Sequence, residues 1–143
     1  ASFARNIKEY SRITKYLRMN KKPIIFSLFV ILMLSGCGKQ YKVKKIVEDF
    51  MDTNISQKYS DFSVIKFDST DYVADSMISV MRNNVDTSSI YKRDVKFTKR
   101  NNTRLLFLTS SFKAIDRNGK YVKQCQTFYI NKDMSGVVSF KNN

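Results

Sequence analysis

The chain predicts an α+β domain, and three observations carry that expectation. Val43, Ile46, Val47, Phe50 and Met51 recur at the spacing of one helical face. Two long apolar-rich runs, Arg104 to Ile115 and Tyr121 to Ile130, flank an Asn118-Gly119 pair, which is a strong hairpin signal. A helix with one apolar face must cover something, and the natural partner is a sheet. The expected fold is one or two helices packed on an antiparallel sheet of four to five strands.

The elements follow in chain order. Asn20-Lys21-Lys22 is a short basic patch. Ile24 to Leu34 is an 11-residue apolar run broken only by Ser27. As a helix this run spans about 16 Å, whereas a membrane core of about 30 Å needs roughly 20 apolar residues. It has no polar face, as a core helix would. Leu34-Ser35-Gly36-Cys37 follows. A charged region, an apolar region and small residues stand in the order that export requires.

The four residues Leu34 to Cys37 resemble the lipobox of bacterial lipoproteins. The resemblance implies a signal peptide at 19–36, cleavage before Cys37, a diacylglycerol thioether on that cysteine and acylation of the new amino group by palmitate or a similar chain. One acyl chain binds a membrane marginally, and two or more hold. The chain begins with Ala1, and Met19 stands directly before the basic patch, so residues 1–18 are expected to be an upstream extension or an expression-derived addition. The rival is a real basic extension, with Arg5, Lys8, Arg12, Lys15 and Arg18 set among Phe3, Ile7, Tyr10 and Leu17.

Residues 37–41 then form a lipidated tether, and 42–143 a single α+β domain. Lys44, Lys45, Glu48, Asp49 and Asp52 occupy the polar side of the first helix, with Asn54 as its stop. Basic residues come first and acidic ones last, which opposes the helix dipole, so packing must hold this helix. Phe62 to Phe67 reads as a strand, and Asp68 to Asp71 as a turn and N-cap. Val73, Met77, Val80 and Met81 mark a second helix ending near Asn83, and Asn84 to Tyr91 a polar loop. A strand at Val95 to Lys99 and a turn at Arg100 to Thr103 lead into the hairpin, and a last strand runs from Val137 to Phe140.

With Asn118 and Gly119 as a two-residue type I′ loop, Ile115 opposes Val122, Phe112 opposes Cys125, Thr109 opposes Phe128 and Leu108 opposes Tyr129. Leu106, Leu108, Phe112, Ala114, Cys125 and Tyr129 then share the face under the helices. Phe107, Phe128 and Ile130 collect on the other face. That apolar cluster is either covered by the chain or a binding patch.

Composition excludes several function classes. The chain has no His, so histidine-dependent triads and imidazole metal sites are out. Beyond Gly38 only Gly119 and Gly136 remain, too few for a phosphate-cradling loop. The formal charge is +14, but seven of the 26 basic residues precede Cys37, so much of the excess belongs to the export region. The remaining basic excess reads as a solvated face or a contact with anionic lipid phosphates. Lipidation of Cys37 leaves Cys125 alone, which rules out an intrachain disulfide and reads as a small apolar strand residue. Asp68, Asp71 and Asp75 lack the glycine and spacing of a calcium loop. The basic stretch Lys92 to Arg104 with Phe97 inside it reads as a strand exterior, not a single-stranded nucleic-acid platform. Ser110 and Ser111 have no triad base. No enzyme and no cofactor is expected.

Asp52 to Ile55, Tyr59 to Asp68, Phe112 to Val122 and Gln126 to Ile130 are similar to small lipoproteins and secreted domains of Bacteroidota. The resemblance implies an α+β domain and carries no catalytic residue across. A helix on a curved antiparallel sheet is also similar, at fold level, to cystatin-like and NTF2-like domains. Some lipoproteins of this group carry an acidic surface-export run after the cysteine. Here Lys39, Lys42, Lys44 and Lys45 make that region basic, so an outer-membrane anchor facing the periplasm is expected. The expected role is a non-enzymatic binding or assembly module of the cell envelope with an envelope protein partner and no specific nucleic acid. The alternative is a small-ligand carrier with a pocket between helix and sheet.

Overall fold

The computed structural model describes residues 21–87 and 89–143, with side chains from residue 38 onward apart from those at 86 and 87. The expectations for residues 1–18, and for the side chains of the signal-peptide region and Cys37, lie outside the described residues. The chain divides into two units, Ala1–Lys39 and Gln40–Asn143. The described backbone of the first is helical. The second holds the sheet and the hydrophobic core.

Helix α1 is Lys21–Asn54, β1 is Tyr59–Tyr72, α2 is Asp75–Asn83, β2 is Arg104–Ile115, β3 is Tyr121–Asn131 and β4 is Val137–Asn142. The four strands form one antiparallel sheet in the order β1-β2-β3-β4. The α+β expectation holds, at the lower strand number. From α1, Val43, Val47, Phe50 and Met51 are buried against Leu106, Leu108, Phe112, Ala114, Phe128, Ile130 and Phe140 of the sheet. Burial of each large apolar side chain contributes about 1.5–3 kcal/mol, and this contact is what holds a helix whose charges oppose its dipole. Phe50 is the hub, with the rings of Phe97, Phe128, Phe140 and Tyr91 centred 5.6 to 6.4 Å away.

The end of α1 is closed by side chains. Buried Asn54 donates its Nδ2 to the Phe50 carbonyl at 2.8 Å and accepts the Lys96 N–H at 3.0 Å. Lys92 donates its backbone N–H to the Asn54 carbonyl and its Nζ to the Thr53 carbonyl. Orphan carbonyls are satisfied, and a cation stands where the helix dipole favours one.

Four local expectations are corrected. Asp68 to Asp71 is not a turn: β1 runs through it to Tyr72, with three register irregularities along its length. Pairing with β2 overrides the turn-forming residues, and the exposed position of an outer strand tolerates their polarity. Helix α2 accordingly starts after Ala74, with no side-chain cap. Asn84 to Tyr91 is more than a polar loop, because Val85, Ile90 and Tyr91 are buried in the main core. Val95 to Lys99 is not a strand of the sheet. It is a strap fixed by buried asparagines: Asn54 holds Lys96, while Asn131 donates to the Lys99 carbonyl and accepts the Asn101 N–H. Val95 and Phe97 pack on the core from this strap.

The hairpin register is also corrected. Ile115 pairs with Tyr121, Ala114 with Val122, Leu108 with Phe128 and Leu106 with Ile130. Within the loop only Gly119 has positive φ, +79°, whereas a type I′ turn needs positive φ at Asn118 too. Asp116 Oδ1 accepts the N–H groups of Asn118 and Lys120, both at 2.9 Å, and the Asp116 N–H bonds the Lys120 carbonyl. The loop is therefore one residue longer, a turn closed by glycine. A one-residue slip moves every β3 side chain to the opposite face.

Candidate functional site

The sheet has two faces with different neighbours. The first lies under α1. The second is covered at one end by α2, where Ile78 and Met81 pack with Val73, Leu105, Val138 and Tyr129. Arg82 ties α2 down, donating Nε to the Val138 carbonyl at 2.9 Å and Nη2 to the Thr98 carbonyl at 3.1 Å. No described helix is packed on the rest of that face.

Cross-strand partners share a face, so the register spells out the rows beyond α2. Lys66, Thr109, Thr127 and Lys141 form one row across all four strands. Ser63, Ser111 and Cys125 form the next, and Ser60, Lys113 and Lys123 another. Four strands at about 4.8 Å spacing set Lys66 and Lys141 about 14 Å apart at the backbone. Short hydroxyls between them bond each other: Thr109 with Thr127 at 2.8 Å, and Ser63 with Ser111 at 3.0 Å. Asn143 donates Nδ2 to Thr127 Oγ1 at 2.9 Å and to Cys125 Sγ at 3.7 Å. Lys66 stands 5.5 Å over the Phe107 ring, and Lys113 pairs with Asp61 at 3.1 Å. This face is hydroxyl-rich, with Thr127 buried, Thr109 and Ser111 half-buried, and exposed lysines at its edges.

The expected patch of Phe107, Phe128 and Ile130 does not form. Phe128 and Ile130 are both 0% exposed and belong to the core under α1. Phe107 is half-buried on the opposite face, in the row of Tyr129. The slip that lengthens the hairpin loop separates them. The same slip takes Cys125 off the core face, where it is a half-buried free thiol. Cys37 lies in the helical segment α1, and its side chain is outside the described residues. Residues 38–42 are exposed, and Val43 is the first buried residue of the folded unit.

The helix–sheet interface is filled by the aromatic cluster around Phe50. An open groove of about 320 Å³ lies instead between α1 and the strap and β3–β4 turn, lined by Ile46, Asp49, Phe50, Lys96, Thr98 and Val137 among others. A second hollow of about 240 Å³ contains Tyr72, Asp75 and Arg100. Its arginine is fully employed, pairing with Asp75 at 3.0 Å and donating to the Asn102 and Thr103 carbonyls.

A buried polar chain crosses the core. The Tyr91 hydroxyl donates to Gln126 Oε1 at 2.6 Å, and Gln126 Nε2 donates to Asn142 Oδ1 at 2.7 Å. Burial drives the Tyr91 hydroxyl pKa well above its ordinary value. The Tyr59 hydroxyl is raised as well, by burial and then by its 2.9 Å hydrogen bond to the Asp52 carboxylate. Asp133 is held below the ordinary carboxylate value by hydrogen bonds from the Ser135 side chain and backbone. The two tyrosines are held by burial and hydrogen bonds within the fold, and the aspartate caps its turn. Ser110 is buried with no hydrogen-bond partner for its hydroxyl, and Ser139 likewise, among the described residues. Among those residues no three His, Cys, Asp or Glu side chains gather as a metal set, and no helix is long and apolar enough to cross a membrane. Sequence reasoning missed the Tyr91–Gln126–Asn142 chain, whose partners lie far apart in sequence.

No family model, curated protein or solved structure matches this chain.

Proposed function

We propose that the chain is a membrane-anchored envelope lipoprotein whose folded unit is a non-enzymatic binding or assembly module. One observation carries the reading. The compact unit begins at Gln40, just beyond Cys37, and its buried core begins at Val43. Cleavage before Cys37 would therefore keep every core residue among the described residues and leave the fold directly on its lipid. The exposed lysines Lys66 and Lys141, at the two ends of the row through half-buried Thr109 and buried Thr127, mark the surface offered to a partner. The carrier reading gains less support, because rings fill the space between helix and sheet and the groove beside α1 is open.

Cell fractionation with metabolic lipid labelling tests the anchor. The native chain is expected in the membrane fraction carrying label, and Cys37→Ser without label as the larger precursor. Equal labelling of the two would refute it. For the surface, Lys66→Glu with Lys141→Glu is expected to abolish crosslinking to an envelope partner in intact cells while the circular dichroism spectrum stays native. Unchanged crosslinks would remove the sheet from the account.

A further inference from the structure

Resting on the anchored reading, we infer that Tyr41, Lys42 and Lys45 form a second membrane contact, docking on anionic phospholipid headgroups beside the lipidated cysteine. At helical spacing these three side chains share one side of α1, opposite Val43 and Val47, which are both 0% exposed. Tyr41 is 67% exposed, and Lys42 and Lys45 are exposed as well. Neither lysine has an ion-pair partner among the described residues. Their neighbour Lys44 is engaged, 3.9 Å from Glu48 and 5.9 Å over the Phe62 ring. The free cations are thus those on the outer side.

Charge order points the same way. Lys42, Lys44 and Lys45 come first and Glu48, Asp49 and Asp52 follow, so one end of this segment is basic and the other acidic. The order opposes the helix dipole once cleavage makes this the start of the helix. For the dipole this order is a cost. An anionic surface gains from it, because the basic end is the one next to Cys37. Lys42 lies five residues beyond Cys37, at most about 18 Å of extended chain. A tyrosine beside lysines suits the headgroup layer, where its ring sits among apolar groups and its hydroxyl among polar ones. A basic patch added to a lipid chain is a known way to make anchoring firm.

The test uses the full chain purified from membranes, with a fluorescent amino acid at position 41, in phosphatidylcholine vesicles with and without phosphatidylglycerol. Nitroxide-labelled lipid reports the depth of the probe, and intact mass of the same sample reports the state of Cys37. Quenching is expected to rise when phosphatidylglycerol is present and to fall back in high salt. In the Lys42→Gln/Lys45→Gln variant it should return to the neutral-vesicle level, each lysine being worth roughly fivefold in the docked population. Lys120→Gln/Lys132→Gln, in turns elsewhere, should keep the dependence. Equal quenching in the two vesicles, or loss of the dependence in the turn variant, overturns the contact. Unmodified Cys37 with charge-dependent quenching overturns the anchor and leaves the contact standing. Acylated Cys37 with equal quenching does the reverse.

Discussion

Single side chains decide how the strap and the core polar chain are held. Gly136 lies against Thr98: a Cβ there would overlap Thr98 Oγ1 and reach within 2.9 Å of its Cβ. The Thr98 N–H bonds the Val137 carbonyl at 2.8 Å, so the two backbones cannot easily separate. Gly136→Ala should therefore cost about 1–3 kcal/mol by denaturant titration, and Thr98→Gly in the same chain should recover most of that. No recovery would mean that the close approach is not the cause. Tyr91 gives a pH signature. Its hydroxyl pKa in the fold lies above the ordinary 10.0, so its contribution is complete below pH 10 and fades as pH rises through the folded value. Tyr59 acts in the same direction. Stability should hold from neutrality to about pH 9 and decline beyond 10, with a shallower decline in Tyr91→Phe. An equally steep decline in that variant would contradict the assignment. Phe50, the hub of the rings, is the costliest single truncation, with Phe50→Ala expected to lose about 3–5 kcal/mol.

At the scale of elements, the β2–β3 hairpin shows how a small local choice redirects a functional reading. Asp116 accepts two backbone N–H groups and Gly119 takes positive φ, and together they close a loop one residue longer than Asn-Gly alone suggests. Asp116→Ala should lose about 1–2 kcal/mol, because two loop donors lose their acceptor. Replacing Asp116 to Lys120 with a loop one residue shorter should lower stability far more, since the slip would turn Phe128 and Ile130 out of the core. Amide exchange across β3 would show it, and an unchanged protection pattern would contradict the register. Element types are legible because periodicity reports them: the α1 face, α2 and the span Arg104 to Ile115 follow from spacing alone. Register is not, because Asn-Gly serves two loop types that differ by one residue. The strap at Val95 to Lys99 is not legible either. Its alternation is that of a strand, but its partners are the side chains of Asn54 and Asn131, which no local pattern announces. The candidate site suffers most: Phe107, Phe128 and Ile130 group together only in a register the loop does not adopt, while the rows of lysines and hydroxyls become visible only once pairing is known.

At the scale of the whole molecule, a folded unit with its own core starts a few residues beyond a lipobox-like cysteine. One face of its sheet is closed by α1, and the other is closed at one end by α2 and otherwise lined by hydroxyls and lysines. Three irregularities in β1 roughen the outer strand, which disfavours edge-to-edge pairing. On the proposed reading, the sheet face beyond α2 is the one a partner would meet. The account stands on Cys37. Its most direct measurement is the intact mass, with fragmentation, of the chain purified from membranes. The account predicts a chain starting at Cys37 that carries a diacylglycerol thioether and an acylated amino group; a chain that retains the residues before an unmodified Cys37 would contradict it.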